Sequence, residues 1–165
     1  DYFDPKLKTE GIKLNISNWR RPAPNTIPWD SKAAGLYMIC TLSKHEAESQ
    51  GFDDSLMLDY RGYVAEATGA NIFFVRDDEI HTPIADCFLD GITRQTIIAI
   101  AKEQGINVLE KRIKLEDLNT YQECFVTGTA AEVTPVNQIG EYKFIPGIIC
   151  QNLIEKYSLL TNGSI

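Results

Sequence analysis

The stretch that decides the fold is residues 55–82, which read SLMLDYRGYVAEATGANIFFVRDDEIHT. Two strand-like runs flank Arg61-Gly62, and two further runs flank Asp77-Asp78. Short apolar runs that are separated by two turn-forming residues are typical of β-hairpins. The stretch therefore predicts two consecutive hairpins, over 55–67 and 71–82, and with them antiparallel strands in the sheet.

Helical and strand-like patterns surround these hairpins. Alternating apolar and polar residues predict a strand over 12–17, and apolar residues at helical spacing predict a helix over 93–104 that stops at Gly105. The remaining patterns predict a helix from about 31 to 50, strands at 107–113, 123–127 and 132–138, a short helical turn at 115–119 and a closing helix at 146–159. Hairpins mixed with helices favour an α+β (mixed α/β) fold, with hairpin-rich strands and flanking helices, over a doubly wound parallel sheet.

Composition excludes several classes of function. The chain has 165 residues, the length of one domain. A net charge of −7 and a pI near 4.8 argue against a nucleic-acid partner or an anionic membrane surface. The four cysteines are widely spaced and the two histidines are isolated, so no metal site is predicted. Reduced cysteines, the lack of an apolar run of membrane-spanning length and a start unlike a signal peptide predict a cytoplasmic location.

A lysine lies among small residues in the segment Ser31-Lys32-Ala33-Ala34-Gly35-Leu36-Tyr37. The predicted helix places Lys32 in its first turn, and the crowded setting predicts a partly desolvated amine that is free to react with carbonyl groups. Most lysines in an early helical turn are solvated surface residues, so this segment alone does not decide the function. A lysine that binds pyridoxal phosphate also needs an acid for the pyridine nitrogen, donors for the phosphate and usually a donor for the ring oxygen.

A candidate for the acid is Glu66, which is the only acidic residue in the strand-like run 63–73. A buried carboxylate without a cationic partner is costly, and a protonated pyridine nitrogen would be a suitable partner. The alternative is a solvent-facing glutamate on an edge strand, which is the more common case for a glutamate judged alone.

Two segments offer donors for a phosphate group. Leu89-Asp90-Gly91-Ile92-Thr93-Arg94 opens the helix predicted over 93–104, where backbone amides are unpaired and the helix dipole favours an anion. Thr127-Gly128-Thr129-Ala130-Ala131-Glu132 follows a predicted strand and offers backbone amides and the Thr129 hydroxyl. An ordinary helix cap and a plain turn between two strands remain the alternatives.

Together the four segments resemble the class IV pyridoxal-phosphate aminotransferases of fold type IV, and most closely the branched-chain amino acid aminotransferases. The matching motifs are Lys-x-x-Gly-x-Tyr at 32–37, Glu-Ala-Thr-Gly-Ala-Asn-Ile-Phe from Glu66, Gly-Ile-Thr-Arg from Gly91 and Gly-Thr-Ala-Ala-Glu from Gly128. The resemblance extends from Asn18-Trp19 to the final predicted helix.

The resemblance implies roles around the cofactor ring. Lys32 would form the Schiff base with pyridoxal phosphate and then move the proton between the α-carbon of the amino acid and the cofactor. Tyr37 would hydrogen-bond the ring oxygen, and Glu66 would hold the pyridine nitrogen. Leu89 would pack on the ring.

The resemblance also implies contacts to the phosphate and to the substrate. The backbone amide of Ile92, together with Thr93 and Thr129, would bind the phosphate. The backbone of Ala130, beside Thr129, would meet the substrate carboxylate, and Tyr2 would line the substrate pocket.

The sequence departs from the family in two respects. Asp90 stands where a proline often precedes the glycine, a change that the phosphate turn is expected to tolerate. The family also has a smaller N-terminal domain that supplies a phosphate-binding arginine, and neither Arg20 nor Arg21 fits that motif, so no role is predicted for either. We therefore expect a fragment, with residues 1–11 as a remnant of the interdomain linker and 12–165 as the C-terminal domain that binds the cofactor.

For the parent protein, the resemblance implies transamination of leucine, isoleucine or valine with 2-oxoglutarate, by a homodimer or a higher homo-oligomer. D-amino acid aminotransferases and aminodeoxychorismate lyases share the framework and stay open as alternatives. An interpretation of another class is that the chain by itself is a catalytically silent domain, because the part of the site that closes over the substrate lies in the other domain.

Overall fold

The computed structural model describes residues 3–4 and 6–163. Along the chain its helices and strands are, in order, α1 (Leu7–Glu10), β1 (Ile12–Arg21), α2 (Met38–Ser49), β2 (Asp54–Asp59), β3 (Val64–Ala67), β4 (Asn71–Arg76), β5 (Glu79–Pro83), α3 (Ile92–Glu103), β6 (Val108–Lys111), β7 (Glu123–Gly128), β8 (Glu132–Ile139), β9 (Tyr142–Lys143) and α4 (Ile148–Thr161). Short 3₁₀ turns precede α2 at Ala34–Tyr37 and β7 at Leu115–Thr120.

The strands form a mixed sheet in the order β3-β2-β1-β8-β7-β4-β5-β6, and β9 pairs with β8. Strand β1 runs parallel to both of its neighbours, and β5 runs parallel to β6. The other neighbouring strands are antiparallel. This mixture confirms the predicted α+β (mixed α/β) class, since a doubly wound sheet would be mostly parallel.

Both predicted hairpins are present. Strands β2 and β3 pair on either side of a turn in which Gly62 has φ of 94°, a value that favours glycine. Strands β4 and β5 pair around Asp77 and Asp78, whose φ values of 53° and 61° place both residues in the left-handed region. Two such residues in succession form the mirror-image turn whose twist matches a two-residue hairpin.

The core lies on both faces of the sheet because successive strand residues point to opposite sides. Phe73 packs beneath α3 and α4 with Ile97 and Leu153, and its ring stacks on Phe125 with centroids 5.0 Å apart. The next residue, Phe74, belongs to the cluster on the other face. The two clusters fix the register of β4 and β7, the two central strands that lead into the candidate site.

The predicted linker segment is folded where the structure describes it. Helix α1 packs against β8, and the Asn137 side chain donates to the carbonyl oxygens of Glu10 and Gly11 at 2.8 and 2.9 Å. Lys8 and Glu132 form an ion pair at 2.8 Å. The domain boundary placed at residue 11 stays a prediction.

The prediction of one helix from about 31 to 50, with Lys32 in its first turn, is wrong at its start. The Ser31 amide donates to the Pro28 carbonyl oxygen at 3.0 Å, Ala33 is extended (φ −84°, ψ 139°), and α2 begins only at Met38 after the 3₁₀ turn. Ala33 provides no side-chain cap, and Gly35 is a poor helix former. Lys32 therefore lies in an irregular segment ahead of the helix.

Within residues 3–4 and 6–163, no helix is both long and apolar enough to cross a lipid bilayer.

Candidate active site

A cavity of about 230 Å³ opens where four segments meet. They are the irregular segment and 3₁₀ turn before α2, the turn between β3 and β4, the start of α3 and the end of β7. The sequence-predicted residues that line this cavity are Lys32, Tyr37, Glu66, Leu89, Ile92, Thr93 and Thr129. Ala130 lines an adjoining groove that shares Lys32, Tyr37 and Thr129 with the cavity. Tyr2 lies outside the described residues.

Glu66 is held in the cavity wall by β3, which pairs Glu66 with Met57 of β2. The carboxyl group is buried, and burial raises its pKa to about 8. The Arg21 guanidinium opposes this rise of the pKa, and the nearby Asp54 carboxyl contributes to it. The position of Glu66 thus disfavours a bare carboxylate and favours one that faces a cation.

Arg21 is a site residue for which the sequence predicted no role. It is the last residue of β1, is 4% exposed and lines the cavity. Its Nε lies 3.3 Å from Glu66 Oε1, and its Nη1 donates to Cys40 Sγ at 3.5 Å. The predicted strand stopped at residue 17, so no pattern in the sequence placed Arg21 beside the acid.

Lys32 lies in the cavity wall but is exposed, so the prediction of a partly desolvated amine is wrong for this structure. Ala33 and Ala34 are exposed as well, and their small side chains give the amine little cover. Tyr37 is half-buried, and its pKa is raised by burial and, secondarily, by the negative charge of Glu66.

The start of α3 offers backbone donors to the cavity. Gly91 is the N-cap residue, the helix has no side-chain cap, and amides in the first turn of such a helix lack partners within the helix. Ile92 is 83% exposed and Thr93 is 6% exposed, and both line the cavity.

The end of β7 forms the neighbouring wall. Gly128 lies at a close approach, because an added Cβ would lie 3.2 Å from the Gly69 carbonyl oxygen, which is tighter than most Cβ contacts. Thr127 is 1% exposed and lines the cavity, and its hydroxyl has no hydrogen-bond partner among the described residues. A buried polar group without a partner is costly, so this hydroxyl is a candidate donor to a ligand in the cavity. Thr129, in the turn that follows, is exposed.

Comparison with known proteins identifies the family of the chain. The family model for class IV amino-transferases matches residues 2–139. The chain belongs to the class IV aminotransferase family. It is 49% identical over 163 residues to the probable branched-chain-amino-acid aminotransferase of Rickettsia bellii, and the match covers 96% of this chain and 56% of that protein.

Solved structures of class IV relatives have the same fold. The branched-chain aminotransferase of Thermoproteus uzoniensis, solved with norvaline, is 40% identical with a TM-score of 0.92, and the match covers 98% of this chain and 55% of that one. The branched-chain amino acid aminotransferase of Thermobaculum terrenum, solved in its PLP form, is 32% identical with a TM-score of 0.90. That match covers 97% of this chain and 54% of the other. The class IV chain thus spans about half the length of the relatives it matches.

Proposed function

We propose that the protein carrying this chain is a pyridoxal-phosphate-dependent aminotransferase that transfers the amino group of leucine, isoleucine or valine to 2-oxoglutarate. The observation that carries the proposal is the meeting of Lys32, Tyr37 and Glu66 with two donor-rich turns around one cavity. The family match and the names of the relatives support the reaction type and the branched-chain substrates.

The residues of the cavity fit this cofactor. The buried Thr127 hydroxyl that lacks a partner and the uncapped start of α3 are donors of the kind that a phosphate group needs. Burial raises the pKa of Glu66 to about 8 even with the Arg21 guanidinium beside it, so a cationic ring nitrogen would further stabilise the charged form. The cavity therefore has phosphate donors on one side and an acid on the other.

Each residue has a separate task in the proposed reaction. When bound, pyridoxal phosphate supplies an aldehyde for Schiff-base chemistry and a ring that withdraws electrons from the substrate α-carbon. The Lys32 amine would hold the cofactor covalently until the amino group of the substrate displaces it, and the freed amine would then move a proton at that α-carbon. Glu66 holds a proton on the ring nitrogen, and Tyr37 hydrogen-bonds the ring oxygen. Leu89 orients the ring by packing on its face.

The remaining residues anchor the phosphate and the substrate. The Ile92 backbone amide and the hydroxyls of Thr93 and Thr129 bind the phosphate in the proposal, since all three residues line the same cavity. The Ala130 backbone, in the adjoining groove, binds the substrate carboxylate beside Thr129. Tyr2, which lies outside the described residues, stays a prediction for the substrate pocket.

We further propose that residues 12–165 form the C-terminal cofactor-binding domain of a larger cytoplasmic protein that acts as a homodimer or higher homo-oligomer. Four free cysteines, all buried, support a reducing location. Exposed Met38 and Leu42, one turn apart on α2, support an apolar contact next to the site. The molar mass of the protein in solution, from light scattering, tests the assembly.

The 165 residues alone are expected to turn over substrate slowly, because Lys32, Thr129 and Ala130 are exposed and leave the cavity open on one side. An open site admits water and does not fix the substrate relative to the amine. Rapid transamination by the isolated chain would overturn this part of the proposal.

Substrate tests on the complete protein distinguish the related activities. L-leucine with 2-oxoglutarate, D-alanine with 2-oxoglutarate, and aminodeoxychorismate are offered separately, and glutamate or product formation is measured. Turnover of L-leucine supports the proposal. Turnover of D-alanine or aminodeoxychorismate without L-leucine would reassign the protein to the corresponding activity of the same framework.

A further inference from the structure

The side chain of Asn71 links β4 to the turn that precedes α3. Asn71 is the first residue of β4 and is 6% exposed. Its Nδ2 donates to the Leu89 carbonyl oxygen at 2.8 Å, and its Oδ1 accepts from the Gly91 amide at 3.2 Å. One amide side chain therefore bonds both ends of the turn Leu89-Asp90-Gly91, which we call the phosphate turn.

The lack of a side chain at Gly91 leaves room for the Asn71 side chain. An added Cβ at Gly91 would lie 2.6 Å from Asn71 Oδ1, closer than real Cβ contacts allow. A side chain at position 91 would therefore displace Asn71 and break both bonds. The absence of a side chain lets the strand and the turn approach closely enough for the asparagine to bridge them.

Asn71 also faces the other donor-bearing wall of the cavity. Strand pairing sets Asn71 opposite Thr127 of β7, and both residues line the cavity. The Thr127 hydroxyl is buried and has no partner among the described residues, which is an independent sign that this part of the cavity takes a ligand. The strand register thus fixes the spacing between the start of α3 and the Thr127 hydroxyl through Asn71.

An ion pair also holds the phosphate turn. Arg94 is 2% exposed, and its Nη1 donates to Asp90 Oδ1 at 2.6 Å. Its Nη2 donates to the Pro83 carbonyl oxygen at 3.0 Å and to Glu110 Oε2 at 2.7 Å. Arg94 thereby compensates the charge of Asp90, which would otherwise oppose an anion bound at the same turn.

We propose that Asn71 is the positioning residue of the phosphate turn, and that the Asp90–Arg94 pair holds the turn at its middle residue. This inference rests on the proposed function, because it assigns the turn to the cofactor phosphate. Asn71 acts through the backbone of Leu89 and Gly91 and does not itself contact the reacting atoms. Its effect should therefore appear in the affinity for the phosphate group and not in the affinity for the ring.

The experiment compares pyridoxal phosphate with pyridoxal, which lacks the phosphate, on the complete protein. The dissociation constant of each is measured by absorbance titration for the wild type, Asn71→Ala and Asn71→Asp. Alanine removes both bonds, whereas aspartate keeps the acceptor for Gly91 but sets an oxygen against the Leu89 carbonyl. Asn107→Ala is the matched control, because Asn107 donates to Glu79 at 2.6 Å on an exposed edge away from the cavity.

The expected result is that both Asn71 variants weaken pyridoxal phosphate at least about tenfold, the loss expected for one or two hydrogen bonds. Pyridoxal binding should change less than about twofold, because the ring contacts do not involve Asn71. Asn107→Ala should change neither constant. If Asn71→Ala does not fold, Asn71→Ser gives the same comparison, because serine adds no charge and is too short to keep both bonds.

Two results would overturn the inference alone. Equal weakening of both ligands would show that Asn71 supports the fold generally. No change in either dissociation constant would show that the turn is set without Asn71. A wild-type protein that binds pyridoxal phosphate no better than pyridoxal would instead overturn the proposed function, and the inference with it.

Discussion

The two sides of the cavity differ in the burial and the secondary structure of their residues. On the sheet side, Glu66, Asn71 and Thr127 are buried and belong to paired strands. On the other side, Lys32 and Thr129 are exposed and lie in irregular segments. The sheet side is therefore formed by the fold itself, whereas the lysine side depends on what covers it.

Residues on the two sides of the cavity should therefore contribute differently to stability, binding and turnover. Buried groups in paired strands carry the electrostatic cost of the site and should affect both stability and binding. An exposed amine carries chemistry at little cost to the fold. Substitutions on the sheet side should accordingly change stability and binding, whereas substitutions on the lysine side should change turnover.

The largest effect is expected for Lys32→Ala in the complete protein. Transamination should fall on the order of 10⁴-fold, because the amine acts as both nucleophile and proton carrier. The free energy of unfolding should change by less than about 0.5 kcal/mol, since Lys32 is exposed. Lys102→Ala, which changes an exposed lysine at the end of α3, is the control and should leave turnover unchanged. A large loss of stability in Lys32→Ala would contradict this difference between the two sides.

For Glu66→Gln, in the protein without cofactor, we expect a change in the free energy of unfolding. The folded-state pKa of Glu66 is raised from 4.5 to about 8, so its protonated form contributes stability that is lost as pH rises through that window. Wild-type stability should therefore fall relative to Glu66→Gln between about pH 5 and pH 9, by on the order of a few kcal/mol. Urea unfolding at several pH values measures the difference.

The control for this measurement is Glu48→Gln, which changes an exposed glutamate near the end of α2. The difference between this variant and the wild type should stay constant across the same pH range. A constant difference for Glu66→Gln as well would mean that Glu66 is not buried as the structure has it.

A smaller effect is expected for Arg21→Met. The guanidinium lowers the pKa of Glu66, so its removal should raise that pKa above about 8. Carbon-detected NMR of the side-chain carboxyl in the cofactor-free protein follows the titration. Arg20→Met changes the neighbouring arginine, which bonds the Asp59 carbonyl oxygen at 3.4 Å, and should leave the Glu66 titration in place. Equal shifts in both variants would rule out a specific Arg21–Glu66 pairing.

The smallest effect is expected for Thr127→Val. The substitution keeps the side-chain shape and removes a buried hydroxyl that lacks a partner among the described residues, so the cofactor-free protein should gain about 1 kcal/mol of stability. Affinity for pyridoxal phosphate should fall. Thr134→Val is the matched control with the opposite sign, because the buried Thr134 hydroxyl donates to the Ala131 carbonyl oxygen at 2.7 Å and its loss should destabilise. Destabilisation of both variants would mean that the Thr127 hydroxyl has a partner.

The sequence predicted best those features that depend on neighbouring residues. The hairpin turns at Arg61-Gly62 and Asp77-Asp78 follow from local backbone preferences, and the structure confirms them. The residues predicted for the cofactor were found through short motifs, each of which forms a single turn or strand end. These segments then meet at one cavity because the strand order brings them together.

The features that were missed depend on long-range contacts. Arg21 reaches Glu66 across β2, and the role of Asn71 requires a turn that begins eighteen positions later along the chain. The prediction that the Lys32 amine is partly desolvated was wrong for a different reason. Small neighbouring side chains suggested crowding, whereas in the folded chain they leave the amine uncovered.

The central claim is that Lys32 is the residue that binds the cofactor covalently. The most direct test is to incubate the complete protein with pyridoxal phosphate, reduce it with borohydride and map the labelled peptide by mass spectrometry. The account predicts one dominant label, on the peptide that contains Lys32. A dominant label on another lysine, or no stable label, would contradict it.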